Sequence, residues 1–520
     1  MPLRGDPLTA PLSVTHLLRP GLEHRPDEVA LVSATSRWTW NELDAKTNNL
    51  AANLLGLGPR QGERIASLMP NRAALLIHYI ACIKAGLVVV PLNYRYIPPE
   101  IDHALAVSQA SILFAHVERA QDLAASKLAR RLPRGLVSYG ARDGSSPRFE
   151  ELIEPGASNR ELLMPNANDA AFIFFTSGST GPAKGVTHSF ESLGWMFAST
   201  AAAFGFTADD VVLPGSSISH LGGFIFSFAA LAASARVVVA RRFDSDEMLP
   251  LLRDDRPTVL CMLPTALLHL VRDHGAMRED FKSLRLCRSG SDKVPAELER
   301  EFTELTGLVI DEGYGMTEVG LATLNPPLGT IKIGSIGPPV PGFALSVRDE
   351  SGNEVPAGRE GRLWIKTRSA TSGYWNNRSA TDAVFRDGWL DSGDLVRADA
   401  DGYLWFCGRK KQIIVHDGSN ICPQEVEGAL LEHPTVDNVG VVGVHDLVHG
   451  ENVRAYVTLK QGVARPKAQE LIRFARARVG YKAPEEIEFL REMPLNPTGK
   501  VDRVMLKRMA EQRHATLVST

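Results

Sequence analysis

The most restrictive feature of the sequence is an apolar run at residues 171–175 that leads directly into a loop of glycines and hydroxyl-bearing residues. The apolar run predicts a buried strand. Glycines let the loop backbone approach a ligand closely, and hydroxyl and amide groups can donate hydrogen bonds to it. A lysine at the end of the loop adds a mobile positive charge. Such a loop is suited to wrapping a polyphosphate. Its candidate ligand residues are Thr176, Ser177, Gly178, Ser179, Thr180, Gly181 and Lys184.

Two other interpretations of this loop have to be weighed. A run of glycine and serine is also typical of a flexible linker, although linkers seldom follow a buried strand or enclose a lysine. A Walker loop requires glycine, lysine and then serine or threonine as consecutive residues. Lys184 instead stands between Ala183 and Gly185, so the sequence does not support the Walker mechanism.

Length and composition bound the class of protein. A chain of 520 residues is too long for one hydrophobic core, so we expect two or more domains. The net charge of -3 gives no support for nucleic acid or an anionic membrane as the main partner. Five scattered cysteines without a CxxC pair argue against a disulfide framework and against zinc, and favour a reducing compartment. Residues 1–24 show no continuous apolar stretch, so we expect neither a signal peptide nor a membrane span, and a cytoplasmic location.

The order of predicted elements indicates an α/β fold. Short apolar strands alternate with amphipathic helices over the first three hundred or so residues, which is typical of doubly wound, mostly parallel sheets. Residues 340–402 are rich in glycine, proline and short alternating runs, so we expect a β-rich subdomain there. Beyond residue 408 the pattern predicts a small, mobile α+β domain. The expected domains are therefore residues 1–408 and 409–520, with a charged hinge between them.

A second cluster of chemically useful residues occupies positions 311–318. Glycines flank a tyrosine and leave its ring face free for an adenine, Thr317 can donate to phosphate, and Glu318 can hold Mg²⁺. The alternative interpretation is a tight turn around a buried tyrosine. The candidate nucleotide-binding residues of this cluster are Glu312, Gly313, Tyr314 and Gly315.

Three further motifs are weak by themselves. Asp394 follows a glycine and could accept the two hydroxyls of a ribose, but an aspartate there is more often a turn former. A basic run begins at Arg409 and leads into a glycine turn at Gly418. Lys500 lies near the end of the chain, where a lysine is normally a surface charge.

Together the five motifs, in this order, resemble the adenylate-forming superfamily, which includes acyl-CoA synthetases, firefly luciferase and the adenylation domains of non-ribosomal peptide synthetases. The resemblance extends from about residue 38 to residue 503 and assigns roles residue by residue. It implies that Asp394 and Arg409 bind ribose, that Lys411 is the hinge, and that Gly418 lines the pantetheine tunnel. It also implies that Lys500 bridges the carboxylate and the α-phosphate, and that His220 gates or orients the acyl group.

The branch resembled most is the AMP-forming acyl-CoA synthetases of fatty or aromatic acids. The implied reaction forms an acyl-adenylate from a carboxylic acid and ATP with Mg²⁺, and then a thioester with CoA. The resemblance leaves open a stand-alone amino-acid or aryl adenylation enzyme, a luciferase-like oxygenase and a non-catalytic adenylate-binding protein. Leu221 stands where amino-acid enzymes usually place an aspartate. The sequence does not identify the acyl group, and it does not show whether the thiol acceptor is CoA or a carrier protein. It does not give the oligomeric state either, for which a homodimer is considered.

Overall fold

The computed structural model describes residues 2–140, 146–156, 164–176, 183–272, 275–290, 294–326, 329–409, 412–416, 419–446, 450–497 and 499–518. The chain forms two compact units. The large unit consists of Met1–Ser291, Glu301–Leu345 and Ile365–Leu390, and the small unit of Asp292–Arg300, Ser346–Trp364 and Asp391–Thr520. The domain boundary expected at residues 408 and 409 stays a prediction.

The strands of the described residues are, in chain order, β1 (Leu3–Arg4), β2 (Val29–Ser33), β3 (Ser36–Thr39), β4 (Arg64–Leu68), β5 (Val88–Pro91), β6 (Ile112–His116), β7 (Leu136–Tyr139), β8 (Ala170–Thr176), β9 (Lys184–Ser189), β10 (Val211–Gly215), β11 (Arg236–Val239), β12 (Val259–Met262), β13 (Leu286–Gly290), β14 (Ile310–Met316), β15 (Gly320–Leu324), β16 (Phe343–Arg348), β17 (Glu360–Thr367), β18 (Gly373–Tyr374), β19 (Phe385–Arg386), β20 (Trp389–Ala398), β21 (Leu404–Arg409), β22 (Ile414–His416), β23 (Ser419–Ile421), β24 (Val436–Asp446), β25 (Gly450–Leu459) and β26 (Glu486–Phe489).

The α-helices are α1 (Arg19–His24), α2 (Trp40–Gly56), α3 (Ala73–Lys84), α4 (Pro98–Ser108), α5 (Ala120–Ala125), α6 (Phe149–Leu152), α7 (Phe190–Phe204), α8 (Leu221–Ala232), α9 (Ser245–Asp254), α10 (Pro264–Arg272), α11 (Ala296–Thr306), α12 (Arg378–Val384), α13 (Pro423–Leu431), α14 (Ala468–Val479) and α15 (Arg503–Val518). Local signals fix several of their ends. Thr39, for example, forms a reciprocal capping box with Glu42 at the start of α2. None of the described helices combines the length and apolar character needed to cross a membrane.

Two sheets of the large unit confirm the doubly wound α/β fold. One sheet has the strand order β15-β14-β13-β12-β10-β11-β2-β3, and the other has the order β18-β9-β8-β5-β4-β6-β7. The central strands pair in parallel, and strands such as β5 and β12 are buried along their whole length. Strands covered on both faces have to be apolar throughout, which explains their continuous valine, leucine and isoleucine runs.

Both sheets include antiparallel strands at their edges, and the candidate site uses one such edge of each sheet. In one sheet, β9 folds back antiparallel to β8, and β18 then pairs antiparallel with β9. In the other, β15 folds back antiparallel to β14. Hairpins need only short connections, so both edges bring polar loop residues close to buried strands.

The remaining strands account for the β-rich region and the α+β unit. Strands β16–β21 occupy residues 343–409 and confirm the β-rich region expected at residues 340–402. In the small unit, β22–β26 form a five-stranded sheet. Its core packs the sheet against α13 and α14 through buried side chains such as Val426, Val441 and Leu471.

Candidate functional site

The hairpin of β8 and β9 carries the two ends of the glycine-rich loop. Thr176 and Lys184 are direct partners in the antiparallel register, so the loop leaves and re-enters the sheet at neighbouring positions. Five of the predicted phosphate ligands, Ser177, Gly178, Ser179, Thr180 and Gly181, lie outside the described residues. The buried strand predicted at residues 171–175 is confirmed as β8.

A tyrosine connects Lys184 with Glu318. The Lys184 ammonium lies over the Tyr374 ring, 4.7 Å from its centroid. The Tyr374 hydroxyl donates a hydrogen bond of 2.9 Å to Oε1 of Glu318. Burial, and then the neighbouring Glu318 carboxylate, raise the pKa of Tyr374, which keeps it a hydroxyl donor. The structure thus brings one predicted phosphate ligand and the predicted magnesium ligand to the same place.

Strand pairing fixes this arrangement. Tyr374 in β18 is the register partner of Val186 in β9, two residues after Lys184. The backbone amide of Thr371 donates to the Glu318 carbonyl at 2.7 Å, and the Thr371 hydroxyl donates to the Thr187 carbonyl at 2.6 Å. The amide and the hydroxyl of Thr371 therefore hold three distant segments of the large unit in one constellation.

A buried histidine positions the neighbouring Thr317. His188 Nε2 lies 2.8 Å from the Thr317 carbonyl oxygen, and His188 Nδ1 lies 3.3 Å from the Ser192 hydroxyl. Complete burial lowers the pKa of His188 to about 4. The imidazole is therefore neutral at neutral pH, with Nε2 protonated toward the carbonyl, which can only accept.

The cluster at residues 311–318 forms the end of β14 and its turn into β15, with Thr317 and Glu318 in the turn. A side chain at Gly313 would meet the Thr323 carbonyl at 2.7 Å, and one at Gly315 would meet the Gly320 carbonyl at 2.5 Å. Both glycines are thus required for the close approach of β15. This differs from the sequence interpretation, in which they only kept the Tyr314 ring face free. The ring of Tyr314 is half-buried.

His220 caps a helix that the sequence analysis did not identify. It is the N-cap residue of α8, and its Nε2 lies 3.1 Å from the Asn93 side-chain amide. Phe224 is fully buried against Phe172 and Phe228, with ring centroids 4.6 and 4.4 Å away. Phe224 therefore belongs to the core, while Gly222 on the same helix faces open space, because a side chain there would meet no atom within 4 Å.

In the small unit, Asp394 and Arg409 form an ion pair across two strands. They are register partners in β20 and β21, and Arg409 Nε donates to Asp394 Oδ1 at 2.9 Å. Asp394 is buried, whereas about half of the Arg409 side chain is exposed. The glycine turn considered for Asp394 is instead part of β20, in which Gly393 takes a positive φ of 73°.

Lys500 lies on a loop that is closed by two hydrogen bonds between Lys500 and Asn496. The Lys500 amide donates to Oδ1 of Asn496 at 3.1 Å, and the Asn496 amide donates to the Lys500 carbonyl at 2.7 Å. The predicted hinge residue Lys411 and the predicted tunnel residue Gly418 lie outside the described residues.

Two residues of the constellation carried no sequence signal that we used. Tyr374 is 190 positions away from Lys184, and only the pairing of β18 with β9 brings them together. His188 is the last residue but one of β9, and a buried residue in such a strand is ordinarily part of the core. A histidine followed by a serine four residues later is the one local hint.

The constellation contains one lysine, one threonine and one glutamate as candidate ligands. Among the described residues, no group of three or more histidine, cysteine or acidic side chains is placed to hold a metal ion. Mg²⁺ in phosphate sites commonly takes one or two carboxylates together with substrate phosphates. Glu318, a nearly buried carboxylate next to a lysine-bearing loop, fits that pattern.

Comparisons with known proteins agree with this geometry. The family profile described as "AMP-binding enzyme" matches residues 19–375, and that described as "AMP-binding enzyme C-terminal domain" matches residues 425–500. A feruloyl-CoA synthase from an Amycolatopsis species is 34% identical over 485 residues, covering 92% of this chain and 94% of that protein. The anthranilate CoA ligase AuaEII, solved with anthranoyl-AMP, superposes with a TM-score of 0.90 at 28% identity, covering 98% of this chain and 99% of that one. ATP-bound MatB from Rhodopseudomonas palustris gives a TM-score of 0.87 at 29% identity, with coverages of 96% and 99%.

Proposed function

The chain belongs to the family of AMP-binding enzymes, and from this premise we propose that it is an AMP-forming acyl-CoA synthetase. In the proposed reaction a carboxylate attacks the α-phosphate of ATP and pyrophosphate leaves. The thiol of CoA then attacks the acyl-adenylate, and AMP leaves. The feruloyl-CoA synthase and the anthranilate CoA ligase are named for this type of product, and both match the chain over nearly its whole length.

One observation carries the proposal: the contact series from Lys184 through Tyr374 to Glu318. Phosphoryl chemistry requires positive charge near the phosphates and a carboxylate for the metal ion. Lys184 supplies the first and Glu318 would hold Mg²⁺, which when bound neutralises charge on the phosphates. Tyr374 keeps the lysine and the carboxylate apart, so that they do not neutralise each other in a direct ion pair. His188 orients Thr317, whose hydroxyl we assign to phosphate.

The remaining roles follow from the resemblance. We assign the loop residues Ser177, Gly178, Ser179, Thr180 and Gly181 to the phosphates, residues 312–315 to adenine, and Asp394 with Arg409 to ribose. The buried carboxylate of Asp394 is held by Arg409, and this supports its use as an acceptor for ribose hydroxyls. We propose residues 1–408 and 409–520 as the functional domains, with Lys411 as the hinge, Gly418 beside the thiol and Lys500 as the adenylation lysine.

For the acid, we propose a medium aliphatic or aromatic chain. Leu221 follows His220 where a charged residue would be needed for an amino group, and Phe224, Ile225 and Phe226 add no charge. Burying each methylene contributes about 0.8 kcal/mol, so longer apolar acids should be preferred to acetate. Because Phe224 is in the core, the open space at Gly222 is the better candidate for the wall of the pocket.

The test is pyrophosphate release over a panel of carboxylic acids, measured with and without CoA. We expect aliphatic and aromatic acids to be turned over with CoA, and acetate and α-amino acids to be turned over poorly. A clear preference for an α-amino acid would contradict the proposed acid class. If the enzyme releases pyrophosphate but forms no thioester when CoA is added, it is a stand-alone adenylation enzyme. Light emission with luciferin would identify an oxygenase.

A further inference from the structure

A histidine of α4 contacts both strands of the hairpin formed by β8 and β9. His103 lies in α4 and is half-buried. Its Nε2 lies 2.8 Å from the Ala183 carbonyl oxygen, and because a carbonyl can only accept, Nε2 carries the hydrogen and donates it. The imidazole also packs edge-on against the Phe175 ring, with ring centroids 6.4 Å apart. His103 therefore contacts the end of β8 and the residue that directly precedes β9.

The Ala183 carbonyl belongs to the peptide unit from which Lys184 extends. That carbonyl and the Lys184 amide lie in one plane, because the peptide bond is planar. A hydrogen bond to the carbonyl therefore restricts the orientation of the whole unit, and with it the backbone of Lys184. At the other end of the side chain, the ammonium lies over the Tyr374 ring. Lys184 is thus held at its backbone through His103 and at its charged end by Tyr374.

Helix α4 is a firm support for this contact. Asp102, the neighbour of His103, accepts hydrogen bonds from the Ser126 hydroxyl at 2.6 Å and from the Leu128 amide at 2.9 Å. The apolar face of α4 is buried in the core cluster against which Ala183 also packs. A side chain that extends from a helix held in this way can define the position of a neighbouring backbone group precisely.

The placement of this lysine matters for the binding of a triphosphate. A lysine side chain is long and loses much rotamer freedom when its ammonium is held against a ligand. When the protein restricts the lysine before the ligand arrives, less freedom remains to be lost on binding, and the affinity rises. If His103 served only to link α4 to the sheet, its loss would change the stability of the protein and not its affinity for ATP.

We propose that His103 is a positioning residue for Lys184: the hydrogen bond from its Nε2 to the Ala183 carbonyl orients the lysine for the phosphates of ATP. The inference rests on the proposed function, which assigns Lys184 to those phosphates. His103 acts through the peptide unit of Lys184 rather than on the phosphates themselves. Its removal should therefore lower the affinity for ATP while the charge of the lysine remains in the site.

The test compares His103→Phe with His103→Gln. Phenylalanine keeps a ring against Phe175 but has no donor, whereas the side-chain amide of glutamine can donate to the Ala183 carbonyl. Calorimetry gives the affinity for ATP, and pyrophosphate release gives kcat and the KM values for ATP and for the acid. We expect His103→Phe to weaken ATP binding by about 2- to 10-fold, the range for one net hydrogen bond. His103→Gln should retain most of the affinity, and in both variants kcat and the KM for the acid should stay near the wild-type values.

A double-mutant cycle shows whether the effect passes through Lys184. In the Lys184→Met background, His103→Phe should cause no further loss of ATP affinity, because no charge is left to be positioned. A loss that adds fully to that of Lys184→Met would overturn the positioning role. If His103→Phe fails to fold, His103→Leu takes its place with the same expected results.

His24→Phe is the matched control. His24 also bonds a backbone carbonyl, that of Pro20 at 2.9 Å, but it lies on α1 and outside the residues assigned to the nucleotide. Its substitution should leave the affinity for ATP unchanged. An equal loss in His24→Phe and His103→Phe would show that the effect is not specific to His103 and would overturn the positioning role.

The outcomes separate this inference from the proposed function. Suppose that acids are converted to CoA thioesters, but His103→Phe binds ATP as tightly as the wild type or His103→Gln loses as much affinity as His103→Phe. The role of His103 is then overturned and the proposed function stands. If ATP affinity depends on His103 and Lys184 as expected but no acid yields a thioester, the proposed function fails and the positioning role stands. If the wild type does not bind ATP, both are overturned.

Discussion

Lys500 combines a fixed backbone with a half-exposed side chain. Its amide and carbonyl are both bonded to Asn496, and neither bond uses the side chain. Substitution of the side chain therefore leaves both of these hydrogen bonds available to the loop.

We predict that Lys500→Ala slows adenylate formation by about 10²–10³, the usual loss for one group that stabilises charge in a transition state. The variant should still convert supplied acyl-adenylate and CoA into thioester at nearly the normal rate. Rapid-quench measurement of the two half-reactions separates these effects. Lys507→Ala, which removes another half-exposed lysine of the small unit, is the control. Normal adenylation by Lys500→Ala, or equal loss in both half-reactions, would contradict the assignment.

His188 predicts a pH dependence of stability. Its pKa is about 4 in the folded protein against an ordinary value of 6.5, so between these values the unfolded chain binds more protons than the folded one. The free energy of unfolding should therefore fall as pH decreases from 6.5 to 4. His188→Gln, which retains a donor for the Thr317 carbonyl, should reduce the loss of unfolding temperature between pH 7.5 and pH 4.5.

The control for this measurement is His16→Gln, because His16 is exposed. It should show the same loss of unfolding temperature as the wild type over this pH range. His78 is also completely buried, with its pKa lowered to about 3 by burial, so part of the loss should persist in His188→Gln. If His188→Gln loses as much unfolding temperature as the wild type over this pH range, His188 does not resist protonation in the folded protein.

Among the elements, the hairpin of β14 and β15 depends on glycine. We predict that Gly315→Ala destabilises the protein by about 1–3 kcal/mol, because its new methyl group would collide with the Gly320 backbone. Gly222→Ala in α8 should instead stabilise by about 0.5–1 kcal/mol, since alanine favours a helix and meets no neighbour there. Denaturant unfolding of both variants tests this, and stabilisation by both would show that β15 can move away.

Elements with a clear local pattern were predictable from the sequence. The strand expected at residues 171–175 is β8, and the β-rich region expected at residues 340–402 contains β17 and β20. The sequence analysis missed β14 as a strand because its acidic residues and glycines resemble a turn, whereas pairing with β13 and β15 makes it extended. It also missed α8, because every residue of α8 except Gly222 is buried, and a helix that is apolar nearly all round shows no amphipathic period.

The same distinction applies to the site. Lys184, Thr317 and Glu318 were candidates because each stands in a motif that is continuous in sequence. Tyr374 was not, because its relevance arises only when β18 pairs with β9.

At the scale of the whole molecule, the proposed reaction requires two different environments for one adenylate. The first half-reaction joins two anions and needs the Lys500 charge, whereas the second needs a path for the thiol of CoA. One static arrangement of the two domains does not serve both, so we expect the chain to re-orient at a hinge between half-reactions. After β21, the amides of Gln412 and Ile413 donate to the Arg409 carbonyl.

We therefore predict that Lys411→Pro spares adenylate formation and slows thioester formation. Proline fixes φ and removes a backbone donor, so it should raise the barrier to re-orientation without touching the reacting groups. An added barrier of about 1.4 kcal/mol would slow the second half-reaction about tenfold. Lys411→Ala removes the same charge but does not fix φ. We expect it to slow neither half-reaction relative to the wild type. Stopped-flow traces of both half-reactions decide the matter: equal slowing of the two steps by Lys411→Pro, or a match between the proline and alanine variants, would mean that re-orientation does not occur at Lys411.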